Sequence, residues 1–274
     1  MDKMSLNCIL ERVEETRSTN DDLLARWRAG ELSCPVARIA YRQTAGKGRA
    51  GRSWLANPED SLCFSLAYPF KKNIAQLSGL SLVAGLAVIT GISTALNLDL
   101  TTLHRQGLRL KWPNDLLIHQ AKLGGILIEG GQTKPTESTW MVIGAGINLG
   151  HAMKIQTQLQ SVGAQKVAAL DELMGSENNA LPEVDFLWLK IIESLEHHLT
   201  QFEEGGFSQF RDQWMKWDAY QDQAVSILGG GKQPIEGLAK GVDETGALLL
   251  EQAGKIITIH AGDVSLRVQP RVCI

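Results

Sequence analysis

The sequence has few cysteines and no long uninterrupted apolar run. Its four cysteines, Cys8, Cys34, Cys63 and Cys273, are widely separated and form no C-x-x-C pair, so neither a zinc site nor a disulfide framework is indicated. The longest apolar region, residues 77–98, is interrupted by serine, threonine and glycine, which favours a buried helix over a membrane span. The N-terminus lacks the apolar core of a signal peptide. We therefore expect free, mostly buried thiols and a cytoplasmic location.

The sequence also lacks an excess of charge of one sign. Its 27 basic and 30 acidic residues give a formal net charge of -3. Such a chain has no overall basic field, which argues against a dedicated nucleic-acid binder. Hydrophobic residues make up 44% of the 274 residues and charged residues 21%, as in a globular protein with a sizeable core. Any positive patch must be local.

Hydrophobic patterns along the first 220 residues predict an α+β fold. Strands are predicted at residues 6–13, 36–41, 61–70, 108–112, 124–130 and 140–148, and helices at 18–30, 77–96, 184–202 and about 210–217. Residues 113–115, Pro-Asn-Asp, predict a turn. The polar stretch 151–182 predicts a surface segment with a short helix near 165–174. The strand at 140–148 is a candidate edge for pairing two subunits, so a monomer and a homodimer both stay open.

The pattern changes near residue 223. Five short strands separated by glycine-bearing turns follow within residues 224–268. So many strands in so short a segment predict a small closed barrel, which removes exposed strand edges. We therefore divide the chain into residues 1–222 and residues 223–274.

A glycine-rich loop, AGKGRAGRSW at residues 45–54, fits the spacing G-x-G-x-x-G. A dinucleotide-binding loop must open a helix and be followed about 20 residues later by an acidic residue. Here the loop leads to a strand, and Lys71 stands where the acid is expected. Lys47, Arg49 and Arg52 instead predict a flexible loop that becomes ordered around an anion. A solvated basic loop is the alternative.

Four further motifs accompany this loop in a fixed order. The series is S-T-N (18–20), Q-T-A-G-K-G-R-A-G-R-S-W (43–54), K-W-P-N-D (111–115), K-L-G-G-I-L (122–127) and G-A-G-I-N (144–148). Together these motifs closely resemble the catalytic domain of biotin protein ligases, and residues 246–268 resemble the SH3-like barrel that ends bacterial members. The resemblance covers residues 9–268, with a poor match at 151–182. It implies a mixed-sheet catalytic domain of the biotin/lipoate ligase type followed by an SH3-like β-barrel.

The resemblance also implies two half-reactions. Biotin and Mg-ATP give biotinyl-5'-adenylate and pyrophosphate, and a lysine of the biotin carboxyl carrier protein of acetyl-CoA carboxylase then attacks the adenylate. Joining a carboxylate to a triphosphate brings anions together, so the site needs fixed positive charge and Mg²⁺. The implied catalytic residues are Lys122, Arg49, Lys111 and Asp115. Asp115 is also the implied Mg²⁺ ligand, although a purely structural ion pair with Lys111 is the alternative.

Two further residue sets follow from the resemblance. The implied biotin-binding residues are Ser18, Thr19, Asn20, Gln43, Lys47, Gly48, Arg49, Trp54, Lys122 and Gly124. The implied ATP- and adenylate-binding residues are Lys47, Arg49, Arg52, Lys111 and Asn148, with Gly144 and Gly146 leaving space for the nucleotide. Hydroxyl and amide groups suit the two N–H donors and one carbonyl acceptor of the biotin ring. Each residue type also has an ordinary structural use: helix capping for Ser18 and Thr19, core packing for Trp54, and a turn at a strand end for Asn148.

The chain departs from the family pattern at two places. Lys47 stands where many members have arginine, which replaces a planar, bidentate group with a point charge. Only 17 residues precede the S-T-N motif, too few for a helix-turn-helix domain. We therefore predict a ligase without direct operator binding, with no nucleic-acid or membrane partner. Arg49 is implied to close over the adenylate, so Arg49→Gly is expected to release it and label bystander lysines.

Two other functions stay open beside the biotin ligase. A lipoate or octanoyl transferase shares the fold, but K-W-P-N-D together with the basic glycine loop is typical of the biotin branch. A noncatalytic biotin or adenylate sensor is the second alternative. Lys122, Asp115 and Arg49 favour an enzyme, because a binding protein has little use for all three.

Overall fold

A computed structural model describes residues 6–134, 137–159, 165–175, 180–229, 233–262 and 264–268 of the 274-residue chain. Within these ranges the chain forms a seven-stranded mixed sheet covered by helices and a five-stranded antiparallel sheet near the C-terminus. The predicted α+β class is confirmed. None of the described helices combines the length and the apolar character that a membrane span requires.

The large sheet carries most of the predicted strands. Its members are β1 (Ile9–Thr16), β2 (Val36–Gln43), β3 (Ser61–Phe70), β4 (Leu108–Lys111), β5 (Asp115–Ile118), β6 (Ala121–Gly131) and β7 (Thr139–Asn148). The order is β1-β2-β3-β7-β6-β5-β4, with β1 and β2 parallel and the other neighbours antiparallel. Residues 140–148, the candidate edge for pairing two subunits, do not form an edge. Strand β7 lies between β3 and β6, so its backbone groups are used on both sides.

Six α-helices occur among the described residues. They are α1 (Thr19–Arg28), α2 (Leu80–Leu96), α3 (Leu100–Arg105), α4 (Ala152–Leu159), α5 (Val184–Gly205) and α6 (Arg211–Trp217). The Ser18 hydroxyl caps α1 by accepting the Asp21 backbone N–H at 3.4 Å. Helix α2 packs closely on α5, because a Cβ atom at Gly91 would lie 2.5 Å from the Ile191 Cα atom. Because Ser18 caps α1, Thr19 and Asn20 begin the helix, and the cap fixes the orientation of their side chains.

The segment between β7 and α5 differs from its prediction. Helix α4 occupies its first part, whereas the helix predicted near residues 165–174 is wrong: the structure has only a 3-10 turn, Leu170–Leu173. The preceding residues pair instead with strand β6. The Lys122 backbone N–H donates to the Lys166 carbonyl at 2.6 Å, and the Ala168 N–H donates to the Lys122 carbonyl at 2.9 Å. Pairing with a distant strand therefore takes the backbone groups that a helix would need.

The five predicted C-terminal strands are all present. They are β8 (Ala224–Gly229), β9 (Ile235–Val242), β10 (Leu248–Gln252), β11 (Lys255–Ile259) and β12 (Val264–Val268), in the order β11-β10-β9-β8-β12. This SH3-like unit packs against the large sheet, where the Trp112 indole N–H donates to the Gly246 carbonyl at 3.0 Å. Strand β8 begins close to residue 223; the division into two domains there stays a prediction.

The thiols confirm the cysteine prediction in part. Cys63, Cys8 and Cys34 are free; Cys63 is buried, whereas Cys8 and Cys34 are half-buried, and Cys273 lies outside the described residues. Burial raises the pKa of the Cys63 thiol to about 12. Burial, together with Glu196, raises the pKa of the Cys8 thiol to about 12 as well. Both groups are therefore protonated at neutral pH and act as packing residues.

Candidate active site

A cavity of about 120 Å³ opens between the start of α1, strands β3, β6 and β7, and the glycine loop. The predicted residues that line it are Ser18, Thr19, Asn20, Gln43, Lys47, Gly48, Arg49, Arg52, Trp54 and Lys122. Gly125 lines it too, beside the predicted Gly124, and so do Ser65 and Asn114, for which the sequence predicted no contact with a ligand. The other predicted residues, Gly124, Lys111, Asp115 and Asn148, lie behind its wall. The structure therefore brings the widely spaced motifs together around one cavity.

Hydrogen-bonding groups form one end of this cavity, which we call the polar end: Thr19, Asn20, Gln43 and Ser65 line it, and the Glu129 carboxylate contacts Asn20 from behind. The Thr19 backbone N–H donates to Gln43 Oε1 at 2.9 Å, and the Thr19 and Ser65 hydroxyl oxygens are 2.7 Å apart. Ser65 donates to Asn20 Oδ1 at 2.7 Å, and Asn20 Nδ2 donates to Glu129 Oε2 at 3.0 Å. The chain of contacts joins β2, α1, β3 and β6 into one network.

Two glycines of β7 make room for the walls of the cavity. A Cβ atom at Gly144 would lie 2.2 Å from Asn20 Oδ1, and one at Gly146 would lie 2.5 Å from the Trp54 ring. Asn20 and Trp54 thus lie against two glycines that also line the cavity, and the role of Gly144 and Gly146 in leaving space for a nucleotide stays a prediction. Glycine is required at both positions because a side chain would displace these two residues. A Cβ atom at Gly124 would likewise meet the Gly146 carbonyl at 2.6 Å, so this glycine serves strand packing.

The glycine loop is folded on itself. Lys47 and Ser53 form an antiparallel bridge, and the Gly48 N–H donates to the Arg52 carbonyl at 2.7 Å. A 3-10 turn, Arg49–Gly51, forms its tip. Gly51 has a φ of 69°, a left-handed conformation that favours glycine. Backbone hydrogen bonds across the loop define its shape in this structure, and its ordering around an anion stays a prediction.

Acceptors on neighbouring segments hold the cations of the loop. The Lys47 ammonium pairs with Asp21 Oδ1 at 2.7 Å. The Arg49 guanidinium donates to Asn114 Oδ1 at 3.0 Å, and its second terminal nitrogen donates to the Gly262 carbonyl. Asn114 is itself fixed, since its Nδ2 atom donates to the Ile126 carbonyl at 2.8 Å. Arg49 thus joins the K-W-P-N-D turn to the C-terminal unit across the mouth of the cavity.

A charged cluster, which we call the cationic end, reaches the cavity through Lys122, whereas its other members, Lys111 and Asp115, lie behind the cavity wall. The Lys122 ammonium lies 2.7 Å from Asp115 Oδ1, and the Lys111 ammonium lies 3.2 Å from Asp115 Oδ2. The side chains of Lys111 and Asp115 are 4% and 13% exposed, whereas that of Lys122 is 27% exposed. Two ammonium groups share one carboxylate, so the cluster keeps an excess positive charge, and Lys122 carries it to the cavity.

Burial and the neighbouring charges shift the pKa values of Asp115 and Lys111 in opposite directions. Burial alone would raise the pKa of Asp115, but Lys122 and Lys111 outweigh it and hold the pKa below its ordinary value. Burial lowers the pKa of Lys111, although Asp115 opposes this change. Asp115 is therefore ionised at neutral pH. The ammonium of Lys122 also lies 5.7 Å from the centre of the Trp54 ring, within range of a cation–π attraction.

The donor set around Asp115 does not fit a protein-held Mg²⁺ ion. Both carboxylate oxygens already contact ammonium groups, so a divalent cation would have to displace a lysine. Among the described residues, no group of three or more His, Cys, Asp and Glu side chains is placed to hold a metal. The geometry favours the ion pair that the sequence left as an alternative. The Mg²⁺ role of Asp115 stays a prediction.

Asn148 supports the backbone of Lys122. Its Nδ2 atom donates to the Lys122 carbonyl at 3.3 Å and to the Ala168 carbonyl at 3.0 Å. The side chain is buried, and both amide protons are used in these contacts. These two hydrogen bonds fix the backbone of strand β6 at Lys122, and therefore the point from which the Lys122 side chain extends. Its contact with adenine stays a prediction. Because the Nδ2 atom is already used, that contact would have to involve the amide oxygen.

The fold and the cavity define a class of protein: a mixed-sheet ligase domain, with a pocket for an acid between hydrogen-bonding and cationic groups, followed by an SH3-like unit. Residues 12–148 match the biotin/lipoate A/B protein ligase family, and residues 222–267 match the biotin protein ligase C-terminal domain.

Curated relatives and solved structures agree with this match. The bifunctional ligase/repressor BirA of Escherichia coli is 36% identical over 91% of this chain and 71% of its own length. The biotin–[acetyl-CoA-carboxylase] ligase of Mycobacterium tuberculosis is 32% identical, over 93% of this chain and 88% of its own. The biotin protein ligase of Aquifex aeolicus in complex with biotin and ATP superposes with a TM-score of 0.72 at 26% identity, covering 95% and 99% of the two chains. The chain belongs to the biotin/lipoate A/B protein ligase family, in its biotin protein ligase branch.

Proposed function

We propose that this chain is an ATP-dependent biotin ligase that forms biotinyl-5'-adenylate and transfers biotin to a lysine of a biotin carboxyl carrier protein. The observation that carries the proposal is the position of the Lys122 ammonium. It lies on the cavity wall beside Trp54, and the buried pair Lys111–Asp115 supports it from behind. An acid bound with its neutral ring at the polar end would present its carboxylate to this ammonium.

The polar end suits the biotin ring. A ureido ring offers two N–H donors and one carbonyl acceptor, and the side chains of Ser18, Thr19 and Gln43 offer hydroxyl and amide partners on one side of the cavity. Trp54 supplies apolar surface for the rest of the bicyclic ring, as small-molecule sites commonly combine an aromatic wall with a few polar groups. The predicted biotin-binding residues thus act as one surface with a defined polarity.

The cationic end suits the first half-reaction. A biotin carboxylate oxygen attacks the α-phosphorus of ATP, a new O–P bond forms, and pyrophosphate leaves with the electrons of the broken P–O bond. Both reactants are anions, so fixed positive charge lowers the barrier. Lys122 is placed to contact the attacking carboxylate, and Lys47, Arg49 and Arg52 surround the opening through which a nucleotide would enter.

The second half-reaction requires that the adenylate stay bound. The amine of a carrier lysine attacks the acyl carbon, the amide forms, and AMP leaves. Arg49 lies across the cavity mouth, held by Asn114 and the Gly262 carbonyl. This position supports the lid role that the sequence resemblance implied. Mg²⁺ is proposed to accompany the phosphates of ATP, and no step here depends on Asp115 as its ligand.

A reconstituted reaction tests the proposal. Purified chain, Mg-ATP and biotin are expected to release pyrophosphate, and an added carrier domain is expected to gain one biotin on a lysine. The carrier with that lysine changed to arginine is the control and should stay unmodified. Turnover of lipoate in place of biotin would support the lipoate branch instead. Tight biotin binding without pyrophosphate release would indicate a sensor and would contradict the proposal.

Operator binding is a second property to test, because the BirA relatives are named as ligase/repressors. We propose that the ligase domain and the SH3-like unit do not bind an operator directly, because 27 basic and 30 acidic residues give them no overall basic field. Titration of a fluorescent operator duplex with the adenylate-bound chain should give no salt-dependent shift, whereas a repressor from a bifunctional relative should give one.

A further inference from the structure

Glu129 is a carboxylate at the polar end for which the proposed reaction supplies no role. It lies half-buried on strand β6, and Asn20 stands between it and the cavity. Its Oε2 atom accepts a hydrogen bond from Asn20 Nδ2 at 3.0 Å. The two residues are 109 positions apart in the chain, so the contact exists only in the folded protein.

The carboxylate sets the direction of every hydrogen bond in the network. An ionised carboxylate can only accept, so the Asn20 amide must turn its NH₂ group toward Glu129 and its oxygen toward Ser65. Ser65 then has to donate its proton to Asn20 Oδ1, at 2.7 Å. The Ser65 and Thr19 oxygens are also 2.7 Å apart and need a proton between them. Because the Ser65 proton is already used, that proton belongs to Thr19.

Thr19 therefore presents a lone pair to the cavity, not a proton. Its distance to Gln43 Oε1 is longer, 3.2 Å, as expected if the Thr19 proton points to Ser65. A hydroxyl that acts as acceptor is the complement of an N–H group of a ureido ring. The space for this arrangement depends on Gly144, because a Cβ atom there would meet Asn20.

We propose that Glu129 is a positioning residue that, through Asn20 and Ser65, holds the Thr19 hydroxyl as a hydrogen-bond acceptor for a ring N–H of the ligand. The proposal rests on the proposed function, because it takes biotin as that ligand. A glutamine at position 129 can donate as well as accept. The chain of hydrogen bonds can then run in either direction, and Thr19 becomes a donor in part of the molecules.

Binding to biotin and to two analogues tests the direction of the network. In each analogue, a cyclic carbamate, one of the two ureido N–H groups is replaced by a ring oxygen. The wild-type chain is expected to bind at least one carbamate about a hundredfold more weakly than biotin, because two acceptors then face each other. Glu129→Gln should weaken biotin binding about tenfold and reduce the preference for biotin over that carbamate at least fivefold. Calorimetry gives both dissociation constants.

The matched control is Glu193→Gln on helix α5. Glu193 is also half-buried and pairs with a neighbour, Lys190, at 2.8 Å, away from the cavity. This variant should bind biotin and both carbamates as the wild-type chain does. Melting temperatures of both variants report any general loss of structure.

A double variant separates positioning from simple support of the strand. Asn20→Asp alone places two carboxylates in contact and should weaken biotin binding. Combined with Glu129→Gln, the carboxylate at position 20 accepts from Ser65 and from the new amide, which restores the original direction. The double variant should therefore recover most of the preference for biotin over the carbamate.

The outcomes are distinct. If the wild-type chain binds biotin but Glu129→Gln matches it in affinity and in preference, this inference is wrong and the proposed function stands. If the double variant does not recover the preference and affinity only follows the melting temperature, Glu129 merely supports the strand and the inference is also wrong. A wild-type chain that does not bind biotin would overturn the proposed function together with this inference.

Discussion

The two ends of the cavity are built on different physical principles. At the polar end, neutral groups and one carboxylate form a hydrogen-bond network, for which we propose a single direction. At the cationic end, two ammonium groups share one buried carboxylate, and the excess charge has no fixed direction. Hydrogen bonds select a ligand by shape and polarity, whereas charge stabilises any anion that comes close. We therefore expect specificity and catalysis to depend on different residues of the same pocket.

Removal of charge from the cationic end should have the largest effect. Lys122→Met is expected to lower the rate of biotin-dependent pyrophosphate release about 10²- to 10³-fold, because the attacking carboxylate loses its positive partner. Biotin affinity should change far less, since the ring contacts remain. Rapid-quench measurement of the first turnover separates the two quantities. Lys190→Met on α5 is the control, and an equal loss in both variants would refute the role of Lys122.

Neutralisation of Asp115, the carboxylate that the two lysines share, should have the second-largest effect, on the stability of the fold. Asp115→Asn leaves Lys111 buried without a counter-ion, which should cost about 3 kcal/mol of unfolding free energy. The pKa of Asp115 is lowered in the fold, so the wild-type chain has this stabilisation above the ordinary value of 3.8 and loses it as the pH falls through the lowered value. Denaturant unfolding between pH 3 and 8 should show a smaller decline in acid for the variant. If the variant lost as much stability in acid as the wild-type chain, the Lys111–Asp115 ion pair would not contribute to the pH dependence of folding.

A change at the polar end should weaken binding without slowing the chemistry. Thr19→Val keeps the shape of the side chain but removes its oxygen, so a ring N–H loses its acceptor. The dissociation constant of biotin should rise about tenfold to a hundredfold, with kcat at saturating biotin little changed. Titration calorimetry and saturation kinetics measure the two effects. A fall in kcat as large as that of Lys122→Met would remove the distinction between the two ends.

A second buried carboxylate, Asp218, sharpens the comparison with Asp115 and should give the smallest effect. Among the described residues its Oδ2 atom has no hydrogen-bond partner. Burial raises its pKa from 3.8 to about 6, with a smaller contribution from Asp222. The folded state therefore binds this proton more tightly than the unfolded state, and stability falls as the pH rises from about 4 through 6. Asp218→Asn should stabilise the chain by about 1 kcal/mol at pH 7.5 and leave stability at pH 4 unchanged. Thermal unfolding at the two pH values tests this, and equal changes at both would contradict it.

Much of the pocket was predictable from short motifs. S-T-N, the basic glycine loop and the lysine of K-L-G-G-I-L all line the cavity, because residues that act together on one ligand leave recognisable local patterns. Ser65 gave a weaker signal, a polar residue within an apolar strand, and its role was missed. Glu129 gave none, since a glutamate on a strand end looks like any solvated charge until Asn20 is placed beside it.

Two features depend on partners that are distant in the chain. In the glycine loop, Lys47 and Arg49 contact acceptors on α1, on the K-W-P-N-D turn and near residue 262. The segment after α4 was predicted to be helical near residues 165–174, yet it pairs with Lys122. In both cases the deciding partner is distant in the chain, and local composition carries no information about it.

The sequence alone determined most of the strands, the longer helices and the family of chemistry that the motifs serve, because periodicity and local motifs are properties of neighbouring residues. Only the tertiary structure decided which atoms donate and which accept at the polar end, and which ammonium groups share the carboxylate at the other. Those outcomes depend on distances of about 3 Å between residues that folding brings together from separate strands, and hydrogen bonds and buried ion pairs change sharply over such distances.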